Sequence, residues 1–533
     1  MEGAISTNCN SNKVEMNNCF NVIIIGAGMA GISAASHLIK HGETNIKLLE
    51  ARNRIGGRII SIPMGNTHVE LGAKWIHGIM GNPIYELAIM NKLIQLTNDQ
   101  HPHTVVATTE EGKRVPIAVV EEVYSAYFWF SKRCEEYFLL RIHPPSEVSN
   151  SVGKHLEMDI KAFLDQYEGE DCRIRRMVFN HLLSRETCIT GCHSMDETGL
   201  NDFGSYTELP GGNVSLPKSY FSLLECLTKD LPKDSILKGL PVKCIRWGPN
   251  HKSEALNCLL DQKSSECNNP ASNIQEVFKI EVEAVNGQKF YSKHVIVTLP
   301  LGVLKATAED IFDPPLPDYK REAIKNLCFG VVDKIYLEYE QPFLNPEIAE
   351  VITLWDETTE QDISKTWYRK IYSFSKITET VLLAWVSGKE AEYLETLSSD
   401  QVGEACTMIL RKFLNDTYIP KPIRVVCTSW KNQPYTCGSY TSIGVNSTQR
   451  DIELLGTPLY SDPDYAKPAL LFAGEATHPS FYSTVHGAYL SGRQAAEYLV
   501  ETKQTNSLPA WSIDRPRCSV GDLSSWLKGI DLT

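Results

Sequence analysis

The sequence predicts an α/β protein with two domains. One is a Rossmann-like, dinucleotide-binding domain that is discontinuous along the chain; the second is a mixed α+β domain. Three observations predict this. An apolar run, Val22–Ile25, leads into Gly26-x-Gly28-x-x-Gly31 and a small-residue helical pattern, and a second apolar run, Ile46–Leu49, ends on Glu50. A nucleotide-like segment, Leu470-Leu471-Phe472-Ala473-Gly474-Glu475, returns near the other end of the chain. Finally, 533 residues are too many for one compact core.

The first unit reads as strand, turn, helix and strand. Gly26 permits the tight turn, Gly28 admits backbone N–H groups to a pyrophosphate, and Gly31 lets the helix pack closely. The helix N-terminus faces the negative charge. Glu50 falls about twenty residues on, where an acid accepts the ribose hydroxyls and disfavours a 2′-phosphate. The next stretch of chain selects the dinucleotide. Arg52 and then Gly56-Gly57-Arg58 bring a second turn and a guanidinium to the same pyrophosphate. Nicotinamide dehydrogenases ordinarily lack that addition and a large class of FAD proteins has it, so FAD is expected.

Helical patterns dominate from Pro83 to Glu186. The segment Tyr127–Leu140, YFWFSKRCEEYFLL, has helical spacing and reads as helix core rather than a cofactor box. Strand patterns return at Val242–Trp247, Phe278–Val285 and Val295–Leu299, with Asn286-Gly287 as a hairpin turn. The polar stretch over 251–273 reads as an inserted loop. Ile335–Glu340, Val381–Val386 and Ile423–Trp430 read as strands of a second sheet, and Gly487–Glu501 as a closing helix. The FAD-binding domain is therefore expected over 20–95, 210–318 and 463–510. The substrate-binding domain is expected over 96–209 and 319–462, behind a disordered terminus, 1–19.

The net charge of −13 disfavours nucleic acid as a partner and suits a cationic small substrate. Fifteen cysteines, scattered and odd in number, read as reduced thiols. Cys188-x3-Cys192-His193 has no second cluster with which to hold zinc, so no metal is expected. No signal peptide, spanning segment or C-terminal peroxisomal tripeptide is evident, which makes the expected location cytoplasmic. A monomer is the expected state.

Four further signatures accompany Gly56-Gly57-Arg58: Glu70-Leu-Gly-Ala-Lys-Trp-Ile-His-Gly78, His294-Val-Ile-Val-Thr-Leu-Pro-Leu-Gly-Val-Leu304, Asp333-Lys334-Ile335 and Phe472-Ala-Gly-Glu-Ala-Thr-His478. With Tyr482-Ser-Thr-Val-His-Gly-Ala488 they resemble the flavin amine oxidases, most closely the polyamine oxidases of animals, over about residues 20 to 500. The resemblance implies FAD held without a covalent link. Gly26, Gly28, Ala30, Gly31 and Gly57 would surround it, with Glu50 on the ribose and Arg58 on the pyrophosphate. The backbone of Val242 would hold the adenine, and Glu475 the ribityl chain. Trp75 would also touch the cofactor, and the backbone after Tyr482, at Thr484 and Val485, would approach the flavin ring. Monoamine oxidases tether their flavin through a cysteine; the matching position here is Ser439, two residues after Cys437.

For chemistry, the resemblance points to Lys334, which would hold a water against flavin N5, and to His77, near the substrate amine. A surface lysine on a strand and a satisfied core histidine are the competing readings. Tyr440 and Tyr482 would flank the flavin face, or simply pack a core; Trp75, Ile189 and Thr484 would join them around the substrate. The implied reaction converts a secondary amine, O2 and water into an amine, an aldehyde and hydrogen peroxide. Relatives that prefer spermine carry polar or acidic residues just before the His193-Ser-Met-Asp196 signature. Ile189-Thr190-Gly191-Cys192 carries no acid there, which favours an N1-acetylated polyamine over free spermine. A histone lysine demethylase would need a helical nucleosome-binding module and a coiled-coil insertion that the chain does not show. A flavin-bound binding protein without turnover would leave Lys334 and His77 without a purpose.

Overall fold

A computed structural model describes residues 18–94, 104–145, 149–248, 279–461 and 468–504. The expected insertion over 251–273 lies outside them, as do residues 1–17 of the expected disordered terminus. Cys19, the last residue of that terminus, instead opens a strand.

That strand, Cys19–Ile25, is central to an eight-stranded sheet. Ile23 and Ile25 point into one core and Val22 and Ile24 into another, so both faces are buried. A strand buried twice cannot alternate apolar with polar residues, and it reads as an unbroken apolar run. Ile46–Leu49 and Lys289–Val297 flank it in parallel. Leu470–Phe472 pairs in parallel with the end of Lys289–Val297, joining the two ends of the chain in one sheet. The hairpin at Asn286-Gly287 is present, with Gly287 at φ +85°. The strand after it, however, begins at Lys289 rather than at Val295. Its first residues, Lys289-Phe290-Tyr291-Ser292-Lys293, interleave polar side chains and so conceal it from a count of apolar runs.

The helix Met29–Lys40 lies on this sheet beside the closing helix Val485–Gln504. Ile32, Ala34, Ala35 and Leu38 are buried beneath it; a fully buried Ile or Leu contributes about 1.5–3 kcal/mol relative to an exposed one. The contact is close because glycines make it. A Cβ on Gly31 would stand 2.0 Å from the Gly26 carbonyl oxygen, and one on Gly492 would stand 2.1 Å from that of Ala30.

A second, six-stranded sheet contains the three expected strands, as Val332–Glu338, Val381–Ser387 and Arg424–Cys427. Three further strands, Ser373–Thr378, Ile348–Leu354 and Thr104–Thr109, complete it. The helices Ile117–Leu139, Val152–Leu164 and Gly169–Thr190 share a core with Ala107, Ile352 and Leu354 at its edge. The helix-core reading of Tyr127–Leu140 holds only for one face. Tyr127 and Cys134 are buried, whereas Phe128 is 52% exposed and Trp129 is 66% exposed. Amphipathic spacing marks a face that leaves bulk water; it does not distinguish a packed core from the wall of a large cavity.

Candidate active site

One continuous cavity of about 2820 Å³ runs between the two sheets. It starts at the Gly26–Gly31 turn, passes Glu50–Arg58 and the Leu71–Gly78 segment, and reaches the helices Ile117–Leu139 and Gly169–Thr190. Gly26, Gly28, Ala30, Glu50, Gly57, Arg58, Trp75, His77, Ile189, Val242, Lys334, Tyr440, Glu475, Tyr482, Thr484 and Val485 all line it. Of the expected site residues only Gly31 does not. It is buried behind the turn, where it seats the helix.

At the dinucleotide end, Gly28 and Gly57 face each other across open space, and a Cβ on Gly28 would meet only the Gly57 Cα at 4.0 Å. Glu50 is held from both sides: the N–H groups of Ala27 and Arg52 each donate to its carboxylate at 2.8 Å. One guanidinium nitrogen of Arg52, Nη2, is buried with no hydrogen-bond partner. Arg58 donates to the Ser439 carbonyl at 2.7 Å and to Glu475 at 2.9 Å. Glu475 in turn accepts the Thr441 hydroxyl at 3.1 Å and the Ser483 N–H at 3.0 Å. Ser483 itself stands at φ +68°, in the left-handed region. A glycine cradle, an anchored carboxylate and an orphaned cationic donor together fit a dinucleotide whose pyrophosphate meets the helix N-terminus.

Lys334 owes its direction to strand alternation. Ile335 and Leu337 enter the apolar core, while Lys334 and Tyr336 point the other way. The Lys334 Nζ donates to the carbonyls of Glu70 at 2.6 Å and Gly72 at 2.5 Å, and it lies 4.7 Å from the Trp385 ring. The surface-lysine reading is therefore wrong: the side chain is buried. Burial drives its ammonium far toward the neutral amine, Lys74 nearby adds to this, and Glu70 opposes it. Lys74, which sequence reasoning passed over, is lowered to about 8 by burial, against the pull of Glu70. Its signal was available, since it sits inside the Glu70–Gly78 signature.

The strand Trp75–His77 pairs with Asn213–Ser215, turning Ile76 inward and both Trp75 and His77 toward the cavity. Burial lowers the His77 pKa, opposed by the Asn213 side chain and Glu208. Tyr440 donates its hydroxyl to the Cys188 carbonyl. Gly191, at φ +75°, leaves room for the Tyr440 ring; a Cβ there would stand 2.7 Å from Cε2. Tyr482 meets Tyr206 edge-on at 5.7 Å. Thr484 lines the cavity, yet its hydroxyl is committed to the start of the closing helix, accepting the Gly487 N–H at 3.0 Å.

The stretch Ile189–Cys192 carries no acid, but other segments bring acids to the cavity wall around it. Glu186 lies one helical turn before Ile189 and lines the cavity, as do Glu135 and Glu208. Burial pushes the Glu186 carboxyl up to about 7; Glu135 and Glu208 add to this, while Arg185 and Lys132 oppose it. Reading only the four residues before His193 missed an acid brought to the same wall by the 3.6-residue repeat.

A family model for flavin-containing amine oxidoreductases matches residues 29–500. The chain is 34% identical over 520 residues to the peroxisomal N(1)-acetyl-spermine/spermidine oxidase of Homo sapiens, covering 93% of this chain and 96% of the human protein. It is 29% identical to polyamine oxidase 1 of Oryza sativa subsp. japonica, covering 90% and 97%. Its fold matches a redesigned putrescine oxidase with TM-score 0.64 at 16% identity, covering 91% of this chain and 99% of that one. The human protein's name places that protein in peroxisomes and so lends no support to the cytoplasmic expectation. No described helix is long and apolar enough to cross a membrane.

Proposed function

Because this chain belongs to the flavin-containing amine oxidoreductase family and is an FAD-dependent amine oxidase, we propose that it oxidises a secondary amine of N1-acetylated spermine or spermidine. A carbon–nitrogen single bond becomes an imine, and water splits the imine into an aldehyde and a shorter polyamine; O2 leaves as hydrogen peroxide. Bound FAD supplies the two-electron acceptor and returns those electrons to O2.

The observation that carries this reading is the pairing of Glu186 with Ile189 on one wall. Ile189 is 56% exposed toward the cavity, one turn from an acid with no hydrogen-bond partner among the described residues. One charge acceptor beside an apolar surface suits a chain with one cationic and one neutral end. Free spermine is the second reading, favoured by the further acids Glu135 and Glu208.

The residues divide the work. Lys334 directs two N–H bonds at the Glu70 and Gly72 carbonyls, and because burial favours the uncharged amine, its remaining hydrogen-bonding position would hold a water against the flavin. His77, neutral because buried, accepts hydrogen from the substrate amine and helps keep it uncharged. Tyr440 and Tyr482 wall off bulk water and favour the neutral nucleophile.

Glu186 gives the pH dependence a sign. Its raised pKa means that the carboxyl is protonated below about 7 and becomes an ammonium acceptor above it. The reacting amine must also lose a proton, from a free value near about 10. Anaerobic flavin reduction at low substrate should therefore accelerate from pH 6 upward, and in Glu186→Gln the inflection near 7 should disappear. A rate flat across that range in the parent protein would contradict the reading.

The flavin should be dissociable. The Ser439 hydroxyl is engaged with the Val332 backbone, accepting its N–H at 2.9 Å, and offers no thiol. Cys188 is the one cysteine lining the cavity among the described residues, and burial pushes its thiol up to about 12, away from the nucleophilic thiolate. Acid precipitation should leave FAD in the supernatant; a yellow pellet would show a covalent link.

A further inference from the structure

Toward its exposed rim the cavity carries a site shaped for an ammonium, and the chain has placed an ammonium of its own there. Lys132 Nζ lies 2.8 Å and 3.1 Å from the two carboxylate oxygens of Glu135. It is also 3.7 Å from Glu208, and 5.7 Å from the centre of the Phe128 ring. All four residues line the cavity. Phe128, Lys132 and Glu135 lie on successive turns of the helix Ile117–Leu139, but Glu208 arrives from a separate segment, so the lysine bridges two walls. Deeper in, the carboxyl of Glu186 has no hydrogen-bond partner among the described residues and feels the charges of Lys132, Glu135 and Glu208. Two carboxylates and an aromatic face are the chemistry that binds an alkylammonium.

We propose that Lys132 is a specificity-determining residue: its tethered ammonium occupies the outer acid pair and competes with the charged terminus of an incoming polyamine, so that the cavity discriminates in favour of a neutral, acylated terminus. This rests on the polyamine reading above and deepens it. The competition is intramolecular, at an effective concentration on the order of millimolar for a short tether. A free polyamine must displace Lys132 or bind beside a like charge, whereas an acylated end does neither. Without Lys132, Glu135 and Glu208 would be open to the substrate, and the acids that favour spermine would act unopposed.

Because Lys132 belongs to the rim and not to the reacting centre, the effect should appear in binding, and it can be measured without turnover. The probes are spermine, with two charged ends, and N1,N12-diacetylspermine, with none, so the outcome does not depend on which end reaches the rim. Both are titrated calorimetrically into the dithionite-reduced, anaerobic holoenzyme. In Lys132→Met the spermine Kd should fall about threefold to fivefold, a size in keeping with partly exposed charge pairs, while the diacetylspermine Kd changes less than twofold. Lys132→Arg should keep the parent ratio. Adding Glu135→Gln and Glu208→Gln to Lys132→Met should abolish the gain. An unchanged spermine-to-diacetylspermine ratio in Lys132→Met overturns the proposal, as does an arginine variant that behaves like methionine or the absence of spermine binding in every variant. Peroxide production by the parent protein is scored separately. Spermine binding without oxidation would refute the proposed activity and leave the role of Lys132 standing.

Discussion

Replacing Lys334 with methionine should slow turnover by about a hundredfold or more while the protein still purifies with its flavin, the range expected when a positioned proton-transfer group is removed from a desolvated site. Methionine matches the length and fills the same buried volume beside Trp385, so packing is largely preserved. What is lost is the nitrogen. The Glu70 carbonyl keeps the Tyr336 hydroxyl, which donates to it at 2.8 Å, so one of the two acceptors stays satisfied. The Gly72 carbonyl loses Lys334, at a cost of about 1–3 kcal/mol if nothing replaces it. Stability and catalysis can therefore be separated: a modest fall in Tm accompanies a large fall in kcat, with the flavin-to-protein absorbance ratio unchanged. Rapid-mixing measurement of flavin bleaching shows which half of the cycle slows. Undiminished turnover would remove Lys334 from the chemistry.

Placing an alanine at Gly31 should act at the opposite end of the site and by a different route. The added Cβ would stand 2.0 Å from the Gly26 oxygen and 3.3 Å from Ile24 Cγ2. The first of these is backbone, in a turn held at φ +103°, and it cannot swing aside as a side chain could. The helix must lift off the strand, costing about 1–3 kcal/mol for overpacking of this kind. Because the same turn presents Gly28 to the cavity, the damage should appear chiefly as lost cofactor. FAD affinity should fall by about a hundredfold, since each tenfold corresponds to about 1.4 kcal/mol. Fluorescence titration of the apoprotein with FAD measures this, and the rise in Tm on adding FAD should shrink in step. An alanine variant that purifies fully yellow would show that the close approach is dispensable.

These two sites differ in how readable they are. Gly26, Gly28, Gly31 and Glu50 lie within 25 consecutive residues, and the physics that requires them is local: a tight turn, a close approach, an acid at the end of the next strand. Lys334 is different. A lysine on a strand says nothing alone, and its two acceptors lie 264 and 262 residues away in the chain. Only its resemblance to a family signature marked it. The strands Thr104–Thr109 and Ile348–Leu354 went unrecognised for the same reason. They pair in parallel across more than two hundred residues, with Val106 opposite Val351, and no turn connects them to reveal the pairing. Glu186 was missed because it lies seven residues before the His193 signature and one helical turn before Ile189, so its approach to Ile189 exists only once the helix is formed. Lys132 was visible as a charge in an aromatic-rich helix, but its partner Glu208 comes from another part of the chain.

The decisive experiment supplies the FAD-loaded protein with N1-acetylspermine and, separately, with spermine in air, following hydrogen peroxide and product mass together. One peroxide should form per substrate consumed, the acetylated substrate should yield a shorter polyamine with an acetamido aldehyde, and free spermine should be oxidised more slowly. A flavin-bearing protein that forms no peroxide with acetylated or free polyamines would contradict the assignment of this chain as a polyamine oxidase.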